Sequence, residues 1–291
     1  MTNEAPFALY VRAINQVAFD VSDALGFSVE MSALAVSLFE EGPDTMQVQA
    51  LYSTRKQAEQ ALLSLSLSSS TETMIEQLPD IDWVEKSQRG LPPVKAGRFW
   101  IYGSHDKELI PKNTKWPVEI NAGLAFGTGH HGTTKGCLIE FDKFLKEGFF
   151  PNKVLDLGCG AGILAIAAAK ALNLEIIATD IDSDAVEVTL FNARINNVSE
   201  LIKCYKLNGV KNSVLQKNTF DLIFANILAG PLIKLSADIV DILCPNGKVI
   251  LSGILDNQSD LVTRAFVNCG LEIEKKSSIS GWTSITGRKV K

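Results

Sequence analysis

The segment Val154-Leu155-Asp156-Leu157-Gly158-Cys159-Gly160-Ala161-Gly162-Ile163-Leu164 constrains the fold of this chain more than any other. Four strand-like residues run into three glycines, and the small apolar residues of 163–171 follow with helical character. A turn that tight favours glycine, which enters φ > 0 freely and lets another molecule approach the backbone closely. The helix beyond it starts with unpaired N–H groups, which suit electron-rich ligand atoms.

Further along, strand-like runs at 175–179, 201–205, 221–225 and 248–252 alternate with helical ones at 183–196 and 231–243. That alternation argues for an α/β fold, a parallel sheet with helices on both faces. Pro231 suits the first turn of its helix, where a missing N–H is harmless. Residues 271–279 and 282–290 around Ser280-Gly281 read as a terminal β-hairpin.

The amino-terminal part reads differently. Strands are expected at 7–11, 33–39, 46–52 and 73–77, and helices at 13–25 and 56–63. Glu41-Gly42-Pro43-Asp44 marks a turn and the serine-rich 63–71 a loop. The β-α-β-β-α-β order is that of a small α+β, ferredoxin-like domain, placed at 1–81 and carrying no chemical motif. Residues 82–96, with Trp83, Gly90, Pro92 and Pro93, read as a linker, and 97–291 as the second domain. Trp100 and Trp116 fall in candidate short strands, and 123–134 reads as a glycine-rich loop entering a helix capped by Thr133 or Thr134.

The glycines are spaced G-x-G-x-G, with Ile163 where a dinucleotide fingerprint needs its last glycine, so a pyrophosphate cradle is disfavoured. Asp180 ends the next strand, twenty-two residues after Gly158, where a carboxylate can accept two ribose hydroxyls. Asp156 is placed to orient the glycines or to meet an ammonium group. These features resemble motif I and the acidic loop of the class I methyltransferases, which use S-adenosylmethionine. Ligands in such sheets lie beyond the carboxyl ends of the strands, which sets Asn226 over the same crevice. Enzymes that methylate adenine amino groups or glutamine amides carry Asn/Asp-Pro-Pro-Tyr/Phe here. This chain has Asn226-Ile227-Leu228-Ala229, which disfavours those substrates.

Three segments together are similar to the PrmA family, the methyltransferases of ribosomal large-subunit protein L-eleven. They are Gly123-Leu124-Ala125-Phe126-Gly127-Thr128-Gly129-His130-His131-Gly132-Thr133-Thr134, then 226–232, then Ser252-Gly253-Ile254-Leu255. Ile285-Thr286-Gly287-Arg288-Lys289 is similar too, and the resemblance runs from about Trp83 to the end. The family commonly reads G-T-G-T-H-P-T-T where this chain has G-T-G-H-H-G-T-T, a departure in the loop's shape. The resemblance implies the class I fold, a mostly parallel seven-stranded sheet, and a small domain that docks the ribosomal protein. It implies contacts from Thr134, Gly158, Asp180 and Asn226 to S-adenosylmethionine, with Gly160 and Gly162 in the same turn. It also implies several acceptor amines, lysines and the amino terminus, for which residues 82–96 would have to act as a hinge. Asn226 is the candidate catalytic group, and His131 a candidate base or positioning group.

Composition narrows the partners. Hydrophobic residues make up 46% and charged ones 21%, the balance of a globular chain. A net charge of -5 suits a basic protein partner better than direct reading of nucleic acid, and no stretch is long and apolar enough for a membrane span. The five scattered cysteines form no C-x-x-C pair and suggest reduced thiols in the cytoplasm. Adjacent His130 and His131 have no Cys or acidic neighbours, so no metal site is expected. A methyltransferase acting on another protein or on a small-molecule amine, and a non-catalytic module that kept the fold, stay open at this point.

Overall fold

The computed structural model describes residues 6–27, 33–42, 44–68, 71–78, 93–121, 132–217 and 219–290. The chain divides into two compact units, residues 1–86 and 87–291. The junction lies among residues 79–92, outside the described residues, as do Trp83 and most of the expected linker.

The first unit has the order β1 (Phe7–Ile14), α1 (Asn15–Phe27), β2 (Ala35–Gly42), β3 (Thr45–Tyr52), α2 (Arg55–Ser64) and β4 (Glu72–Gln77). Its strands are antiparallel in the order β2-β3-β1-β4, the ferredoxin-like arrangement. β1 runs three residues beyond its sequence-based end because Ile14 still pairs with Thr45, which delays α1 to Asn15. Every second residue of β3, from Met46 to Tyr52, packs with Ala18, Val21 and Leu25 of α1 and Ala58 and Ala61 of α2. A capping box starts α2: the Thr54 hydroxyl accepts from the Gln57 N–H, and the Gln57 side chain accepts from the Thr54 N–H.

The second unit opens with β5 (Val94–Ala96), β6 (Phe99–Tyr102) and β7 (Trp116–Glu119), a small sheet in which β5-β6 is antiparallel and β6-β7 parallel. Val94–Ala96 therefore belong to this sheet rather than to a linker, because they pair across a tight turn with Phe99–Ile101. After α3 (Gly132–Lys146) come β8 (Val154–Leu157), α4 (Ile163–Leu172), β9 (Ile176–Asp180), α5 (Ser183–Ile195) and β10 (Ile202–Lys206). Then follow β11 (Phe220–Asn226), α6 (Ala229–Ile242), β12 (Leu243–Leu255), α7 (Ser259–Asn268), β13 (Leu271–Ile279) and β14 (Trp282–Lys289).

Seven strands form one sheet in the order β10-β9-β8-β11-β12-β14-β13. The first five are parallel, and the terminal hairpin adds β14 and β13 antiparallel. Alternation along the central strands splits the core into two layers. Val154, Leu222, Phe224 and Ile250 join α3, α4 and α5 on one face; Leu155, Ile223, Ala225 and Leu251 join α6 and α7 on the other. Phe141 of α3 stacks on Phe99 and meets Phe224 edge-on, which ties the small sheet to the large one. No helix among the described residues is long and apolar enough to cross a membrane.

Candidate active site

Strand order reverses between β8 and β11: the chain builds outward from β8 to β10, then returns to the other side of β8. Such a reversal opens a crevice at the carboxyl ends of the strands. Register places three of the sequence-derived residues in a row along it. Leu157 pairs with Thr179 on one side and with Ala225 on the other, so Asp180, Gly158 and Asn226 are the next residues of β9, β8 and β11.

The glycine turn is built as the sequence requires. Gly158, Gly160 and Gly162 all have positive φ. A Cβ on Gly158 would stand 2.2 Å from Cγ2 of Ile227, so the turn and the segment after β11 close on each other only through glycine. From the opposite side Gly253 (φ +81°) approaches Ile227 so closely that a Cβ would lie 2.3 Å from its carbonyl oxygen. The Asn226–Leu232 and Ser252–Leu255 segments, matched separately in sequence, thus meet at Ile227. The N–H groups of Gly158 and Cys159 both donate to the Thr179 carbonyl, at 2.8 and 3.0 Å, which locks the turn onto β9.

Asp180 receives N–H bonds from Gly160 at 2.9 Å and Asp182 at 3.0 Å, one on each carboxylate oxygen. A carboxylate has about four acceptor positions, so two stay available for hydroxyl donors. Asp156 is 1% exposed and lies on the α4 side of β8. Its Oδ2 accepts the Ala165 N–H at 2.9 Å, which serves the first turn of a helix whose capping residue, Gly162, has no side chain to offer. Its Oδ1 is buried with no partner among the described residues. Burial pushes the Asp156 carboxyl up to about 7; the Ala165 bond opposes this and the nearby Asp180 adds to it. The turn thus carries unused acceptors on both sides, the buried Asp156 Oδ1 and the free positions of Asp180. This donor and acceptor set fits the ribose and ammonium groups of S-adenosylmethionine.

Asn226 is partly buried, and its Nδ2 donates to the Thr134 hydroxyl at 3.3 Å. Its Oδ1 has no partner among the described residues. α3 begins at Gly132, so Thr133 and Thr134 lie within its first turn and are not its cap. They anchor the helix instead: Thr134 takes the Asn226 bond, and the Thr133 carbonyl accepts from the Ser252 hydroxyl at 3.3 Å. His131 and its loop, residues 122–131, lie outside the described residues.

Sequence reading missed the support behind the turn. Thr189 and Asn192 of α5 are fully buried; Thr189 donates to the Gly160 carbonyl at 2.9 Å and Asn192 to that of Ala161 at 2.8 Å. Their spacing of three on a helix that also buries Ala185 and Ala193 was the available signal. Ile181, 63% exposed directly after Asp180, is a second omission. It is an apolar side chain left in solvent at the mouth of the crevice.

The sheet order, the glycine turn and the acid at the end of β9 define a class I, S-adenosylmethionine-dependent methyltransferase. A family model of ribosomal protein L11 methyltransferase (PrmA) matches residues 13–290. The chain is 42% identical over 270 residues to a ribosomal protein L11 methyltransferase of Rhodopseudomonas palustris (strain BisB5), covering 91% of both chains. It is 38% identical over 288 residues to one of Caulobacter sp. (strain K31), covering 98% of both. A crystal structure of a ribosomal protein L11 methylase from Lactobacillus delbrueckii subsp. bulgaricus superimposes with a TM-score of 0.61 at 28% identity, covering 68% of this chain and 99% of that one. The chain belongs to the ribosomal protein L11 methyltransferase family.

Proposed function

We propose that this protein transfers methyl groups from S-adenosylmethionine to lysine side chains and the amino terminus of a large-subunit ribosomal protein, L11. The observation that carries the reading is Asn226, held by Thr134 beside the glycine turn with an acceptor oxygen left over. The bound cofactor supplies an activated methyl group on a sulfonium, so the protein has to orient an amine and keep water away.

Asp180 would take the ribose hydroxyls, Asp156 the ammonium group, and the turn of Gly158, Gly160 and Gly162 the close backbone approach. The acceptor must be a neutral amine. An α-amino group, with a pKa near 7.7–8.0, reaches that state readily, whereas lysine at about 10.4 needs desolvation or a neighbouring cation. A carboxamide oxygen suits this task better than a carboxylate. It accepts an N–H from the amine without stabilising its protonated form as a full charge would. Asn226 Oδ1 is the acceptor that aims the lone pair, and His131 would act as a base or positioning group.

The small domain is the substrate-recognition module in this reading. Its 86 residues carry thirteen acidic and four basic side chains, a net charge of -9, while the remainder of the chain is at +4. A strongly acidic domain attracts a basic protein and repels an RNA backbone. The ribosomal protein is read as the direct partner, free or assembled, with no nucleic acid contacted by sequence. The five cysteines are free thiols, which suits the cytoplasm.

Asn226→Ala tests the central role. Turnover on saturating ribosomal protein should fall by about 100-fold or more, with the Kd for the cofactor changing less than about threefold. Unchanged turnover would remove Asn226 from the chemistry.

A further inference from the structure

Among the described residues β7 pairs with β6 alone, and its other edge meets side chains of α4 and α5. An unpaired strand edge leaves backbone groups to be satisfied. Here side chains replace the missing strand, at every second residue. Lys170 of α4 donates to the Pro117 carbonyl. Asn196, at the end of α5, accepts the Glu119 N–H at 3.0 Å and donates to the Glu119 carbonyl at 2.6 Å. Asn192 accepts the Asn121 N–H at 3.0 Å.

The two asparagines differ in what else they hold. Asn196 donates a second bond only to the Asn192 carbonyl, within its own helix. The Asn192 amide donates to Ala161, in the middle of the glycine turn. Both groups of one fully buried carboxamide are therefore spent on joining the turn to the end of β7. Thr189 makes the adjoining bond to Gly160, and its side chain would stand 2.9 Å from a Cβ on Gly162.

We propose that Asn192 is a positioning residue for the cofactor site, setting the height of the glycine turn against the β7 edge, while Asn196 serves only to hold that edge. The inference rests on the turn being the S-adenosylmethionine site. The bond to the Ala161 carbonyl fixes the Ala161–Gly162 peptide plane, so a turn released at this point presents its N–H groups at scattered angles. Removing either asparagine strands buried backbone groups and lowers stability. Only removal of Asn192 frees the turn.

The test compares Asn192→Ala, Asn192→Ser and Asn196→Ala in the full chain, by thermal melting and by calorimetric binding of S-adenosylhomocysteine. All three should melt at lower temperature. The two Asn192 variants should bind the product about tenfold more weakly, the loss of roughly one buried hydrogen bond, and Asn196→Ala should bind like the parent. A third variant, Asn192→Asp, keeps the measurement open if the others fail to fold. Its carboxyl, when protonated, can accept from Asn121 and donate to Ala161. Its affinity relative to the parent at the same pH should therefore rise as pH falls. Equal weakening by Asn192→Ala and Asn196→Ala, or Asn192→Asp affinity independent of pH relative to the parent, would overturn the assignment. Failure of the parent to bind S-adenosylhomocysteine would instead overturn the cofactor reading on which it rests.

Discussion

The two units of this chain differ in where they keep their polar groups. All the buried Ser, Thr, Asn, Asp and Glu side chains among the described residues belong to the catalytic unit. The amino-terminal unit buries apolar side chains against α1 and α2 and carries its charge outside, on residues such as Glu72 and Glu76. Buried polar groups are costly unless paired, so Asp156, Thr189 and Asn192 around the glycine turn mark a place where geometry is specified. A charged exterior over a plain core marks a surface specified for attraction. One unit concentrates its buried polar groups, the other its negative charge.

The largest effect expected from breaking this division is at Gly158. Gly158→Val puts a branched side chain at φ +73° and drives its Cβ into Ile227. Cofactor affinity should drop by roughly 100-fold, read by calorimetry with S-adenosylhomocysteine. Binding within about threefold of the parent would show that the turn does not approach the cofactor.

Asp156→Asn comes next. The substitution keeps an acceptor for the Ala165 N–H and removes the charge, so cofactor affinity near pH 8 should fall about tenfold. Stability of the free protein should move the other way. The Asp156 carboxyl is raised to about 7 in the folded chain, above its unfolded value. Its contribution to stability is therefore present at low pH and lost as pH rises through about 7. The variant should melt higher than the parent near pH 8.5, and that advantage should shrink as pH falls below about 7 and vanish near pH 4. A lower melting temperature at both pH values would contradict the burial account.

The smallest effect is on the acidic unit. Glu72→Lys with Glu76→Lys, both exposed, should raise the KM for the ribosomal protein about three- to tenfold, the difference shrinking in high salt. Cofactor affinity should not change. If the KM stays constant at low salt, the charge of this unit does not recruit the substrate through β4.

Much of this was legible in the sequence, and unevenly. β8, its glycine turn and Asp180 follow from local rules, because strand period, glycine conformations and helix starts are decided within a few residues. The row of Asp180, Gly158 and Asn226 follows once the parallel order is assumed. α7 does not stand out in the sequence: Ser259–Asn268 buries only Val262 and Phe266 deeply, a thin apolar stripe. β12 begins five residues before its expected start, since Leu243 pairs with Phe220 before the register shifts. Thr189, Asn192 and Asn196 read as an ordinary polar helix face. Their spacing with Ala185 and Ala193 hints at burial, but what buries them is tertiary: the glycine turn for Thr189, and for Asn192 and Asn196 the end of β7, some seventy residues away in sequence.

The most direct measurement of the account is peptide mass spectrometry of a purified large-subunit ribosomal protein L11 after incubation with this protein and isotopically labelled S-adenosylmethionine. Labelled methyl groups are expected on lysine side chains and on the amino terminus, and far less label in the same time with Asn226→Ala. An L11 that stays unlabelled, or label on side chains other than amines, would contradict that assignment.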